Sequence, residues 1–108
     1  MKKLLAMLMA AALLLSCATV LADEEAITLK IAHIGPLTGA AAVYGNATSN
    51  GGKIAADEIN AAGGKYRVEY TTYDDTHDAE TSVNAYSKAL DDGAQMILGT
   101  TTTSPASP

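Results

Sequence analysis

IAHIGPLTGAAAVYGNATSNGGKIAADEINAAGG, residues 31–64, is the stretch that decides the fold. A short apolar run, Leu29, Ile31 and Ile34, is closed by Gly35-Pro36, the pattern of a strand covered on both faces. Gly39 and Gly45 bracket a loop of small residues that carries one aromatic, Tyr44. From Asn46 onward, Ala47, Gly51, Ile54, Ala55, Ile59 and Ala62 follow helical spacing, and Gly63-Gly64 stops the helix. Strand, loop, helix and glycine stop make the first half of a βαβ unit. In open α/β sheets ligands bind beyond the carboxyl ends of the strands, so this loop is where function is sought.

Working outward, the first strand spans about 28–34, and His33 reads as a satisfied histidine at its end. Asp57-Glu58 reads as a solvated helix face, because helix neighbours point in different directions. Residues 65–73 form a second strand, with Tyr66, Val68 and Tyr70 alternating against Arg67, Glu69 and Thr71, as on an edge with one wetter face. Asp74-Asp75-Thr76-His77-Asp78 follows; its spacing matches neither a calcium loop nor a zinc motif, and acidic residues belong at a helix start. Ala79, Val83, Tyr86 and Leu90 mark a second helix that ends at Asp91-Asp92-Gly93. Met96-Ile97-Leu98 is a short third strand, residues 100–104 form a hydroxyl-rich loop, and Pro105 suits the first position of another helix. Two right-handed crossovers give an α/β, three-layer fold: a parallel sheet of order 2-1-3 with the two helices on opposite faces.

Residues 1–22 read as an export signal: Lys2-Lys3, an apolar core from Leu4 to Leu15, and a small-residue tail from Ser16 to Ala22. The core is too short to span a bilayer. Cleavage after Ala22 fits a soluble exported protein and is preferred; Leu14-Leu15-Ser16-Cys17 offers the alternative of a lipid anchor on Cys17. Residues 23–26 are then a tether and 27–108 the folded domain. Cys17 is the one cysteine of the chain, so the exported part holds no disulfide and no thiolate metal site. Without Lys2 and Lys3 the chain keeps 5 basic against 12 acidic residues, a net charge of −7, which argues against nucleic acid or anionic membrane as partner. About 86 residues without Phe or Trp bury little apolar surface for a domain.

Strand order 2-1-3 brings the loops after strands one and three together at the topological switch point. One offers Thr38, Gly39 and Tyr44, the other the hydroxyls of residues 100–104. Hydroxyls and free backbone N–H groups suit a carboxylate, and an aromatic beside them packs against an apolar side chain. Enzyme readings fare badly: no GxSxG, no exported Cys nucleophile and no Walker loop is present. GPLTGAAAVYG spaces its glycines wrongly for a dinucleotide, and no cofactor is expected.

The ordered combination IGPLTG, YG, NGGKIAADEINAAGG, YDDTHDAETSV and GAQMILGTTTTS resembles the opening of type I periplasmic binding proteins of the branched-chain amino acid group, the extracytoplasmic receptors of ABC importers. The resemblance covers the chain after the export signal. It implies a two-lobe protein of which this sequence supplies part of the amino-terminal lobe, an amino acid ligand, and a membrane permease as partner. It also implies site residues. A hydroxyl four positions after Gly99 places the carboxylate role on Thr103, with Ser104 and Thr102 beside it, and Tyr44 matches the tyrosine that packs near the ligand. Two alternatives stay open: a ligand-sensing receptor domain on the same fold, and a small exported flavodoxin-like enzyme domain.

Overall fold

The computed structural model describes residues 1–18 and 24–107, the side chains of residues 11–18 excepted. Helix α1, Lys2–Ala18, contains the apolar run from Leu4 to Leu15. Among the described residues no helix is long and apolar enough to cross a membrane. The expected cleavage after Ala22 lies outside the described residues, as does the Cys17 side chain.

The remaining elements run β1 (Ile27–Gly35), α2 (Ala42–Ala61), β2 (Tyr66–Asp74), α3 (Ala79–Asp91), β3 (Met96–Leu98) and α4 (Thr103–Ala106). The three strands form one parallel sheet of order β2-β1-β3. Pairing runs from Ile27 opposite Tyr66 to Gly35 opposite Asp74 on one side of β1. On the other side Ile31 lies opposite Met96 and His33 opposite Leu98. The expected architecture is the one observed.

The helices take opposite faces because the two right-handed crossovers run in opposite directions across the sheet, and alternating strand side chains meet each in turn. His33, Val68 and Tyr70 meet α2: His33 bonds Thr48, Asn60 bonds the Val68 backbone, and Tyr70 lies against Gly52. Ala32 and Ile34 are buried on the α3 side, where a hollow brings Ile34 to Ser82 and Tyr86. The buried core is small: Ala32, Ile34, Ala56, Val68, Ala85 and Ala89.

Two details depart from the sequence reading. Helix α2 starts at Ala42, four residues before Asn46, so Tyr44 and Gly45 lie in its first turn and not in a loop. Gly39, at φ 81°, closes the preceding turn, and the Ala42 N–H donates to its carbonyl at 3.2 Å. The alanine run then favours early helix, and Gly45 lets that turn lie directly on the Pro36 backbone. Helix α4 begins at Thr103, so Pro105 is its third residue rather than its first. Its missing N–H is still harmless there, since the first-turn donors have no intrahelical partner.

The helices also rest on smaller residues than their apolar spacing implied. Helix α3 buries Ser82, Ala85 and Ala89, while Val83, Tyr86 and Leu90 stay nearly half exposed. Helix α2 buries Gly45, Ser49 and Ala56 and leaves Ile54 60% exposed. Small side chains let each helix approach the sheet closely; the large ones flank that contact. Met96 and Leu98 on the β3 edge are likewise exposed.

Asn60 protects the opposite edge. Its side chain accepts from the Val68 N–H at 2.7 Å and donates to the Val68 carbonyl at 2.9 Å, closing backbone groups that β1 cannot reach.

Candidate functional site

The carboxyl ends of all three strands converge, and a dense set of hydrogen bonds ties their loops. Asp74, the last residue of β2, accepts from the Leu37 N–H at 2.8 Å and the Thr76 N–H at 2.9 Å through Oδ1, and from the Thr38 hydroxyl through Oδ2. Burial alone would push its carboxyl up; the Thr38, Leu37 and Thr76 donors outweigh it and hold the group below the usual carboxylate range. The Asp75 N–H donates to the Gly35 carbonyl, and Asn46 reaches back to the Leu37 carbonyl. The β1–α2 and β2–α3 loops are therefore one unit.

Asp75 is fully buried, and its Oδ1 accepts from the His77 N–H at 2.9 Å. Those acceptors hold Thr76 at φ 51° and His77 at φ 61°, the left-handed region that side chains seldom enter. Asp78 then caps α3, accepting from both the backbone N–H and the hydroxyl of Thr81 at 2.8 Å. All three carboxylates of the acidic loop accept hydrogen bonds; Asp78 caps α3 as the sequence reading expected, while Asp74 and Asp75 instead fix the loop.

Beneath the loops runs a polar chain that starts at the buried His33 and ends at exposed Thr48 and half-buried Thr101. His33 Nε2 is 2.9 Å from Thr48 Oγ1, which is 2.9 Å from Thr101 Oγ1 and 3.0 Å from the Gly45 carbonyl. Thr48 Oγ1 also lies 3.2 Å from the Tyr44 carbonyl; its one proton is shared between the Gly45 and Tyr44 carbonyls when its two lone pairs accept from His33 Nε2–H and Thr101 O–H. That tautomer leaves His33 Nδ1 as an acceptor, and neither it nor buried Asp75 Oδ2 has a partner. The expectation of a satisfied His33 holds for one ring nitrogen only. Burial pushes this imidazole below its ordinary range, opposed in part by the Asp75 charge.

Above this chain a cleft of about 410 Å³ opens between the start of α2 and the loops after β2 and β3. Ala40, Ala41 and Tyr44 line one wall, and Thr76, His77 and Thr102 the other. Tyr44 is 64% exposed, an aromatic face offered to the cleft. Thr102 stands at the N-cap position of α4, yet its side chain makes no capping bond; its Oγ1 lies 2.9 Å from His77 Nδ1. Of the residues singled out in the sequence, Tyr44 and Thr102 come together here. Thr103 and Ser104 are exposed on α4 and are not part of this lining. His77 and Thr76 were missed, because their contribution depends on a left-handed turn that brings residue 77 to residue 102.

The cleft suits a small polar ligand with an apolar flank. Hydroxyl and imidazole groups can donate to a carboxylate, and the Tyr44 ring can cover a side chain. Among the described residues no group of three or more His, Cys, Asp and Glu side chains converges to hold a metal ion.

The periplasmic binding protein family model matches residues 28–108. The leucine-, isoleucine-, valine-, threonine-, and alanine-binding protein of Pseudomonas aeruginosa is 36% identical over 83 residues, which are 75% of this chain and 22% of that protein. The Leu/Ile/Val-binding protein of Escherichia coli is 31% identical over 103 residues, covering 89% of this chain and 28% of its own length. An extracellular ligand-binding receptor from Verminephrobacter eiseniae has the same fold, with a TM-score of 0.68 at 21% identity, over 72% of this chain and 22% of that one. The chain thus spans between a fifth and a third of the length of these proteins. With a family model matched from the first strand to the end of the sequence, the chain belongs to the periplasmic binding protein family.

Proposed function

We propose that this chain supplies one wall of the ligand site in a substrate-binding component of an ABC importer, and that its ligand is a branched-chain or related amino acid. The single observation that carries the reading is the meeting of Tyr44 with Thr102 in one cleft at the carboxyl ends of the strands. Relatives named for leucine, isoleucine and valine binding support the ligand class. Thr102 donates to the ligand carboxylate and Tyr44 packs on its side chain; Thr103 and Ser104 stand next in the chain and are tested beside them. No step of chemistry is assigned to these groups, and the protein acts as a receptor rather than an enzyme.

In this reading residues 1–22 direct export to the periplasm or the outer face of the cell membrane, with Cys17 as the alternative anchor. The permease is the membrane partner. Residues 27–108 form part of an amino-terminal lobe. The open edge at β3 and the exposed apolar residues Ile54, Val83, Tyr86, Leu90, Met96 and Leu98 support that placing, because a finished lobe covers such surface.

Titration calorimetry on the intact exported protein tests the reading with L-leucine, L-isoleucine, L-valine, L-aspartate and L-lysine. Binding of the first three and not the last two is expected. Thr102→Ala should cost about 1–3 kcal/mol of that affinity, the range for leaving a charged partner unpaired. A protein that binds none of the three, or variants at residues 44, 102, 103 and 104 that all bind like the parent, would overturn it.

A further inference from the structure

We propose that His33 is an acid-operated latch: neutral, it ties the first turns of α2 to the β3–α4 loop, and its protonation lets that seam open. The latch acts on the fold itself and is independent of which ligand the protein takes.

His33 is fully buried near the carboxyl end of β1. Its Nε2 meets Thr48 Oγ1 at 2.9 Å, and Thr48 Oγ1 meets Thr101 Oγ1 at 2.9 Å. One imidazole thus joins the central strand, helix α2 and the loop after β3. Packing at this point is close: a Cβ on Gly35 would lie 2.6 Å from Thr101 Oγ1 and 2.9 Å from the His33 ring. A hollow of about 390 Å³ follows the seam, with His33, Thr48 and Gly52 on one side and Leu98, Thr100 and Thr101 on the other. The loop is the side that yields. Strand β3 has three residues and pairs with β1 only from Met96 to Leu98. Among the described residues no backbone–backbone bond reaches Gly99, Thr100 or Thr101, so the loop is held by side chains, Thr101 on Thr48 and Thr102 on His77. Elements tied this lightly open at low cost.

The seam fits a neutral imidazole and not its cation. Protonation adds a charge and an N–H at Nδ1, a buried atom without a hydrogen-bond partner. Around the ring, α2 presents Thr48 and Gly52, β3 presents Leu98, and the loop presents Thr100 and Thr101, none of them charged. Strand β2 brings Tyr70 and Asp74 to the same face of the sheet, since Thr72 stands opposite His33 and side chains alternate. Tyr70 stays neutral, its hydroxyl raised above the usual range chiefly by burial. Asp74 is already occupied by Leu37, Thr38 and Thr76. Asp75 does attract the charge, but burial outweighs it and keeps the imidazole below its ordinary range. Opening the seam lets water reach the ring, which then titrates near about pH 6.5. Each pH unit below that favours the open form about tenfold while the closed ring stays neutral. The latch is therefore shut above about pH 6.5 and loosens as the pH falls below it. Thr102 belongs to the same loop and lines the cleft, so opening takes away part of that wall.

Nuclear magnetic resonance on the intact protein, with no ligand added, tests the latch. The His33 Cε1–H signal should titrate with a midpoint below about 6.5, and the signals of Thr48 and Thr101 should move with the same midpoint. Relaxation dispersion at residues 99–101 should show the open form rising about tenfold between pH 7.5 and pH 5.5. His33→Gln keeps a neutral N–H donor for Thr48 but cannot take up the proton, so its open form should change less than about twofold over that range. A His33 midpoint at or above about 6.5 would overturn the proposal. So would an equal acid response in His33→Gln, which would assign the effect to His77, or a loop without dispersion at pH 5.5. The midpoint is read on the parent protein alone and decides the matter even where the variant does not fold.

Discussion

Three glycines on α2 meet different surroundings, and alanine at each should give three different results. At Gly45 an added Cβ would fall on the carbonyl oxygen and carbon of Pro36, with the Pro36 nitrogen at 2.9 Å. These are backbone atoms of a loop already bound by Asp74 and Asn46, so the neighbour cannot yield by rotating. Overpacking costs about 1–3 kcal/mol, and a rigid backbone puts this site at the upper end. Better helix propensity returns about 1 kcal/mol, leaving Gly45→Ala less stable by about 2 kcal/mol. At Gly51 a Cβ meets nothing within 4 Å, so only the propensity gain operates, and Gly51→Ala should add about 0.5–1 kcal/mol. Gly52 lies between: its Cβ would strike the Tyr70 ring and hydroxyl, a side chain that can turn away. Urea unfolding of the intact protein followed by circular dichroism measures all three, with the slope checked for constancy. A Gly45→Ala protein as stable as the parent would refute the close approach of α2 to the β1 loop, and with it the placing of Tyr44.

Acid should weaken the fold in two windows. Burial keeps His33 below its ordinary range, so the unfolded chain takes up a proton that the folded one resists; stability is full above about pH 6.5 and falls as the pH drops below it, and His33→Gln should flatten that fall. Asp74 is held below the usual range, so its contribution is present above about pH 4 and is lost as the pH falls further. Asp74→Asn should cost about 1–3 kcal/mol and speed amide exchange at Leu37 and Thr76; unchanged exchange there would count against the joined loops. Asn60→Ala should cost about 1–3 kcal/mol and expose the Val68 amide to exchange, and protection equal to the parent would show that the edge is closed by other means.

The order of elements was legible because each has its own local signal. Gly35-Pro36 closes β1, Gly63 at φ 64° and Gly93 at φ 89° follow α2 and α3, and alternation marks β2. Right-handed crossovers then leave little choice of topology. What could not be read depends on distance between loops. Nothing near Gly45 announces Pro36, so the start of α2 and the position of Tyr44 came out four residues late. Residues 100–103 are four threonines with the same chemistry, and nothing in that run marks Thr102 as the one that lines the cleft. The His77–Thr102 contact spans 25 residues and needs two consecutive left-handed residues, Thr76 and His77, neither of them glycine. Helical spacing identified Val83, Tyr86 and Leu90 as one stripe but not that Ser82, Ala85 and Ala89 would be the residues buried.

The central claim is that the cleft between Tyr44 and Thr102 holds an amino acid, and a crystal structure of the intact protein grown with L-leucine tests it most directly. The account predicts the leucine carboxylate within about 3 Å of Thr102 Oγ1 and its side chain against the Tyr44 ring. Leucine seated instead in the apolar hollow among Ile31, Ala56, Ile59 and Met96, or bound with no contact to residues 44, 77 and 102, would contradict it.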